Sequence, residues 1–463
     1  MDDSDKDRDD RNGIEKVFDQ VADAFNKLTQ APQGEKKAAP ADMSGFFRAV
    51  KYGKTDELKK FIASGIDLDA IGPGGDTALH VAARNNMTEP ARLLLEAGAN
   101  PKAGHETDSK RTPLADAVNF GKAEMAELLT RFGGYTPGER ASDGFTLLHR
   151  ACEKNKPHLV AAMINAGADG NEMTGNGATP LLVAIARRNP EVADRLLDFP
   201  AVARGINEFF VQTDSKKRTA FQMAVEAGQA PVVNKMLKFG SNVNAPDAEG
   251  VTPLQHAILK GDVALVRTLI ANGADLNKPD SAKGSPLYLA CQAPEITDPR
   301  VRGHIVDVLL HSGADPDLAL PDSKLTPLHA ALLSAGGKDA ALALLKYPVN
   351  KEIADQDGFQ PIFYTIHKSD TSLLREMLEQ GADPNARNMQ DARTPLIQAV
   401  HESSAAAVSL LLAKGANPRM IDAHGKSALS YARDKKLADI IGLLESALAK
   451  RDAPKPGFRE WSL

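Results

Sequence analysis

Aromatic residues are sparse in this chain, 5% of 463, and Trp461 is the single tryptophan. One large globular centre is therefore not expected; Leu, Ala and Val must supply the core. Cysteine is scarcer still. Cys152 and Cys291 are the only two, and no His or Cys accompanies them at metal-ligand spacing. No apolar run approaches the roughly eighteen residues of a membrane span. Charge of one sign is also missing: the net charge is −5 and the pI near 6.2, which leaves no electrostatic footprint for nucleic acid. The start, Met1-Asp2-Asp3-Ser4-Asp5-Lys6-Asp7, lacks the basic and apolar segments of a secretory signal and is too acidic for a transit peptide. A cytoplasmic protein is expected, with no nucleic-acid and no membrane partner.

What the chain has in abundance is self-similarity. A Thr-Pro-Leu-His phrase, or a near copy, begins at Thr77, Thr112, Thr146, Thr179, Thr219, Thr252, Ser285, Thr326, Gln360, Thr394 and Ser427. Subtracting neighbours gives steps of 35, 34, 33, 40, 33, 33, 41, 34, 34 and 33 residues. A near-constant period of this size marks a stack in which each unit buries its apolar face only against its neighbours. Length alone suggests several domains; the period predicts one elongated array instead.

Residues 72–105 show what one unit encodes. Gly72-Pro73-Gly74-Gly75-Asp76 is a turn. Thr77 is suited to cap a helix, and in most copies Pro follows at the first helical position, where its missing N–H costs nothing. Small residues, Ala82 and Ala83, let a neighbouring backbone approach. A second helix begins near Thr88-Glu89-Pro90, carries Leu93, Leu94 and Leu95, and stops at Gly98. The same stop recurs at Gly133, Gly167, Gly240, Gly273, Gly313, Gly381 and Gly415. Gly98-Ala99-Asn100-Pro101 and Gly273-Ala274-Asp275-Leu276-Asn277 complete a unit that resembles the ankyrin repeat family. The resemblance covers residues 44–449, with Phe46 to Ala70 as a first unit, and gives twelve repeats. It implies an all-α solenoid of stacked helix-turn-helix units with projecting finger turns, the first helices lining a concave side. Twelve layers at helix-packing distance span roughly 100–120 Å.

Cys152 and Cys291 each fall six residues after a cap, in place of the second small Ala of a first helix. Burial as reduced thiols is expected, since four layers, roughly 40 Å, separate them.

Several segments depart from the period. Residues 1–43 precede the array. Their first dozen are a solvated charge run, and in 14–28 Ile14, Val17, Phe18, Val21, Ala22, Phe25 and Leu28 share one helical face. That helix is expected to cover the open edge of the first repeat; a tethered partner-binding helix is the other use for it. Two steps are long. One adds residues around Phe199 to Thr213, including Phe209-Phe210; the other lengthens the inter-helix turn Gln292-Ala293-Pro294-Glu295-Ile296-Thr297-Asp298-Pro299. Residues 450–463 form a Pro-containing tail ending Trp461-Ser462-Leu463.

Catalysis finds little support. His80, His149 and His329 occupy the phrase itself, where the resemblance implies a structural hydrogen-bonding role between adjacent turns. No His-Glu-x-x-His run, phosphate-binding loop or nucleophile elbow is present. An enzyme, a cofactor and a metal are not expected, and only about 43 and 14 residues lie outside the array. Basic fingers, Lys110-Arg111, Lys216-Lys217-Arg218, Lys283, Lys324 and Arg393, read as solvated rather than as a binding row.

Apolar residues at exposed register positions carry more information. The resemblance implies that contacts come from the finger residue before the cap and from the pair after Ala-Ala in the first helix. Phe145, Val251, Leu325 and Phe359 hold the first place; Phe120, Leu259 and Leu333 hold the second. The expected function is a non-enzymatic, monomeric interaction scaffold or regulator that binds an unidentified protein partner on its concave helix and finger surface. A secreted effector acting on host-cell proteins is the alternative, since the fold serves both.

Overall fold

The computed structural model describes residues 42–452 except 73, 137, 139, 141–143, 207–217, 280–283 and 367–370. The helix expected over 14–28, the Phe209-Phe210 pair and the end of the tail with Trp461 lie outside the described residues. Within them the chain forms helices and isolated bridges but no strand. Twelve helix pairs follow one another, numbered here as repeats 1–12. The first opens with Met43–Lys51 and Thr55–Ala63, and the last closes with Ala428–Asp434 and Ala438–Asp452. The pattern-derived bounds were 44 and 449. Each pair packs on the preceding and following pairs, and the buried side chains make one continuous apolar seam from Phe46 to Leu444.

The phrase works as the period predicts. Thr112, Thr146, Thr179, Thr219, Thr252, Ser285, Thr326, Thr394 and Ser427 each accept the amide of the third helical residue. Second helices stop at glycines in the left-handed region, such as Gly273 (φ 86°) and Gly313 (φ 97°), where a side chain would be strained.

Two ladders tie repeat to repeat. In the first, the His of the phrase reaches the next finger. His80, His149 and His329 accept from the cap Thr at Nδ1 and donate from Nε2 to the carbonyls of Arg111, Ala178 and Phe359, at 2.7, 3.1 and 3.2 Å. Where His is absent, glutamine takes over. Gln222 and Gln255 accept from the cap amides through Oε1 and donate from Nε2 to Ala245 and Gly284. In the second ladder, the Asn or Asp late in Gly-Ala-Asp-x-Asn accepts an amide of the next repeat. Asn244 takes Asp275 at 2.8 Å, Asn277 takes Asp315 at 2.9 Å, Asp317 takes Asn350 at 2.9 Å and Asn385 takes Asn417 at 2.7 Å. The motif thus satisfies backbone groups that a stacked turn would otherwise leave bare.

Both long steps become local additions. The first inserts the short helix Pro200–Arg204 after Pro190–Leu196. The second, in repeat 8, opens the turn between Pro286–Gln292 and the next helix as expected. It also lengthens that helix to thirteen residues, Pro299–His311, where nine is usual. Cys152 and Cys291 are fully buried free thiols, and burial raises both well above the ordinary thiol range.

The histidine ladder makes the array acid-sensitive. Burial lowers the pKa of His149 from 6.5 to about 4, and burial also lowers those of His80 and His329. Between those values the unfolded chain binds the extra proton, so stability falls as pH drops below 6.5. For His149 alone the loss at pH 5 is about 2 kcal/mol. His149→Gln should keep the link, as Gln255 does, and flatten part of this pH dependence. His149→Ala should cost about 1–3 kcal/mol at pH 7 by deleting a buried side chain and its bonds to Thr146 and to the Ala178 carbonyl, which keeps only those from Thr174. Urea titrations at pH 7 and pH 5 measure both; equal pH slopes for wild type and His149→Gln would refute the assignment.

Candidate protein-interaction surface

The seven apolar positions separate by their local structure. Phe120 caps the end of Pro113–Asn119 and is 54% exposed; Leu333 ends Pro327–Leu333 and is 53% exposed. Leu259, which ends Pro253–Leu259, is half-buried. A first helix runs out of neighbours at its last turn, so its final side chain looks outward. The finger residues behave otherwise. Phe145 is half-buried, with its ring 5.6 Å from the His149 ring and the Arg150 guanidinium 4.9 Å from its centroid. Phe359 is half-buried edge-on against Phe363 and Tyr364, at 5.7 and 6.3 Å. Leu325 is half-buried too.

Val251 corrects the expectation. It was expected as an exposed finger residue, but it is 1% exposed. Asp247 explains why. Its backbone amide bonds the Val251 carbonyl at 3.0 Å, and its carboxylate accepts the Val251 amide at 2.9 Å. The same carboxylate holds His256 at 3.0 Å. The finger closes on Asp247 and turns Val251 inward, so it is a core residue rather than a contact.

Leu325 and Leu333 are brought together. They share the wall of a cavity of about 540 Å³ between repeats 8 and 9, with Tyr288, Ile296, Arg302 and Ser334. The cavity exists because repeat 8 carries the long turn, and Arg302 shapes it. This residue is 3% exposed. Its Nη2 donates to the carbonyls of Ala293 and Ile296 at 2.8 and 2.9 Å, and its Nη1 to Ser334 Oγ and the Ala335 carbonyl at 2.6 and 3.2 Å. The guanidinium thus pins the inserted turn to the next repeat. On that side Gly337 lies so close to Ala331 that a Cβ would sit 2.0 Å from its carbonyl oxygen. Sequence reasoning found the long step and the two leucines but missed Arg302, one of two arginines in the first turn of the long helix Pro299–His311, whose partners lie in two different loops.

The described basic fingers are largely spoken for. Arg111 bonds Asp116 at 2.9 Å and Asp76 at 3.3 Å, Arg393 pairs with Asp391 and Arg218 with Glu226. Lys216, Lys217 and Lys283 lie outside the described residues. Sequence reasoning also missed two finger residues, Met389 and Ile421, which are 81% and 48% exposed. Among the described residues no group of three His, Cys, Asp or Glu could hold a metal ion, and no helix is long and apolar enough to cross a membrane.

A stack of helix pairs, finger turns and a grooved first-helix face defines a repeat solenoid of the recognition class. The chain belongs to the ankyrin repeat family. The family described as "Ankyrin repeats (3 copies)" matches residues 46–136, 199–280, 221–317 and 366–450, and "Ankyrin repeats (many copies)" matches 148–197. Residues 318–365 fall between those stretches, and there the helix pairs themselves extend the array. Among similar proteins, the B-cell lymphoma 3 protein homolog of Mus musculus is 34% identical over 131 residues, 28% of this chain and 29% of that protein. Ankyrin repeat and SOCS box protein 16 of Homo sapiens is 30% identical over 213 residues, 44% of this chain and 45% of that protein. Palmitoyltransferase ZDHHC13 of Mus musculus is 29% identical over 209 residues, 44% of this chain and 32% of that protein, matched through the repeat region. The matched part spans less than half the length of each of these relatives.

The two kinds of position predict opposite stability effects. Phe120→Ala should change unfolding free energy by less than about 0.5 kcal/mol, as surface changes do. Val251→Ala should cost about 1–3 kcal/mol by opening a cavity. Guanidinium titration of both variants decides; a neutral Val251→Ala would restore its exposed assignment.

Proposed function

We propose that this chain is a non-enzymatic protein-interaction scaffold or regulator that works as a monomer in the cytoplasm and binds a protein partner on its concave first-helix and finger surface. The observation that carries this reading is Leu333, more than half exposed at the rim of the cavity between repeats 8 and 9, with Leu325 on the same wall. An apolar side chain left in water beside a hollow gains free energy when a partner covers it. Phe120, Phe145, Leu259 and Phe359 extend the candidate surface, and the family's ankyrin relatives support an interaction role. The ladders hold these side chains on a rigid backbone, which lowers the ordering cost of binding.

The test starts with the full chain as bait and mass spectrometry of captured proteins. Affinity and melting temperature are then measured for Phe120→Ala, Phe145→Ala, Leu333→Ala and Phe359→Ala. Leu333→Ala and Phe120→Ala should weaken binding by about 1–2 kcal/mol with unchanged melting temperature. Phe145→Ala and Phe359→Ala should lower both quantities, because their rings also pack within the free protein. Unchanged affinity in all four would retire the concave surface.

A further inference from the structure

Arg302 carries a charge that its surroundings do not neutralise. It is 3% exposed, yet all four of its hydrogen-bond acceptors are neutral oxygens: three carbonyls and the Ser334 hydroxyl. Among the described residues no carboxylate forms an ion pair with it, and its Nε, shut off from solvent, has no hydrogen-bond partner. Half-buried arginines elsewhere in this protein are paired with carboxylates, although the Nε of Arg84 is also shut off from solvent without a partner. Arg111 and Arg84, both less buried, share Asp76 and Asp116. A buried cation without a counter-ion costs free energy. Bracing the inserted turn accounts for the four donor contacts at Nη1 and Nη2. It leaves the net charge unanswered.

The cavity beside this charge is mainly apolar, with Gln292, Thr297 and Ser334 as its other polar side chains. Tyr288, Ile296, Leu325 and Leu333 line it, and its volume of about 540 Å³ accommodates a large side chain and its flanking backbone. An occupant that satisfies both features must bring an apolar group to the walls and a negative charge toward Arg302. We infer that the cavity between repeats 8 and 9 is a docking pocket for an acidic segment of a protein partner, in which a leucine-sized or aromatic side chain fills the hollow and a neighbouring Asp or Glu carboxylate offsets Arg302. This rests on the interaction reading of the concave surface and adds the chemistry of the partner. Charge complementarity selects the segment, while the apolar side chain supplies the anchor.

The full-length chain is titrated with four fluorescein-labelled synthetic peptides of one length, built on Glu-Phe-Glu, Gln-Phe-Gln, Lys-Phe-Lys and Glu-Ala-Glu centres, by fluorescence anisotropy. The Glu-Phe-Glu peptide should bind about tenfold tighter than the Gln-Phe-Gln peptide at low salt, and the ratio should shrink at about 1 M salt. The Lys-Phe-Lys peptide should bind weakest of the Phe series, and Glu-Ala-Glu should lose the anchor. Arg302→Met should erase the preference for acid over amide, whereas Arg302→Lys should keep most of it. Leu333→Glu should abolish binding of the acidic peptide without touching the turn that Arg302 braces. Circular dichroism accompanies each variant; if Arg302→Met unfolds, the four peptides on the wild-type chain and on Leu333→Glu still decide. Equal affinity of the Glu and Gln peptides, or Glu-Phe-Glu binding that survives Leu333→Glu, overturns the proposal. If the peptides show no preference while Leu333→Ala still releases the captured partner, the concave surface stands and only its selection of acidic segments falls.

Discussion

Every repeat in this protein depends on its neighbour for completion. A pair of helices of seven to nine residues is too short to hold itself together in water. Its apolar face is closed only when the next pair covers it, and at five junctions a finger carbonyl takes a further bond from a His or Gln side chain that crosses from the repeat before. The link from His329 to the Phe359 carbonyl and that from Gln255 to the Gly284 carbonyl are the same device made with different atoms. Both side chains place an acceptor toward the cap and a donor about two bonds further on. That geometry is why His and Gln interchange at this site, while Leu182 and Ile397 in the same register cannot serve it. Buried imidazole in this role must remain neutral, so the ladder ties cohesion of the array to pH above the histidine range.

The fold was legible in the sequence because the signals were periodic and redundant. Caps, prolines at the first helical turn, small residues and glycine stops recurred in register, so a weak copy such as Ser427-Ala428-Leu429 could be read from its neighbours. The second ladder was legible only as a motif: Gly-Ala-Asp-x-Asn announced itself, but the atoms it joins, Asn277 to the Asp315 amide for example, lie 38 residues apart. The surface was less legible for a physical reason. Exposure at a finger depends on the side chain that the closed turn has to house. Val251 and Phe359 share a register, and both fingers are held by an Asp, Asp247 and Asp355, accepting their amides. The difference is the ring that must be housed. Valine fits beneath the closed turn; phenylalanine spills over it and packs on Phe363 and Tyr364.

Departures from the period are where a repeat protein has freedom to specialise. A regular layer leaves little space between first helices, because its neighbours were shaped by the same sequence. The long step of repeat 8 breaks that regularity. Its extra turn lengthens the link between the helices, and one arginine, Arg302, ties that turn at Ala293 and Ile296 to Ser334 and Ala335 of the next repeat. A neutral side chain could have reached one or two of these oxygens, but only the guanidinium fork spans all four. The cavity and the buried charge are therefore two consequences of one insertion. The hollow arises because the turn is long, and the charge is inside because the turn needs a multivalent donor. That coupling makes the junction of repeats 8 and 9 unlike the others in both shape and electrostatics. It also explains why the half-buried Leu325 and the exposed Leu333 converge on one space, whereas Phe120 and Leu259 end ordinary layers.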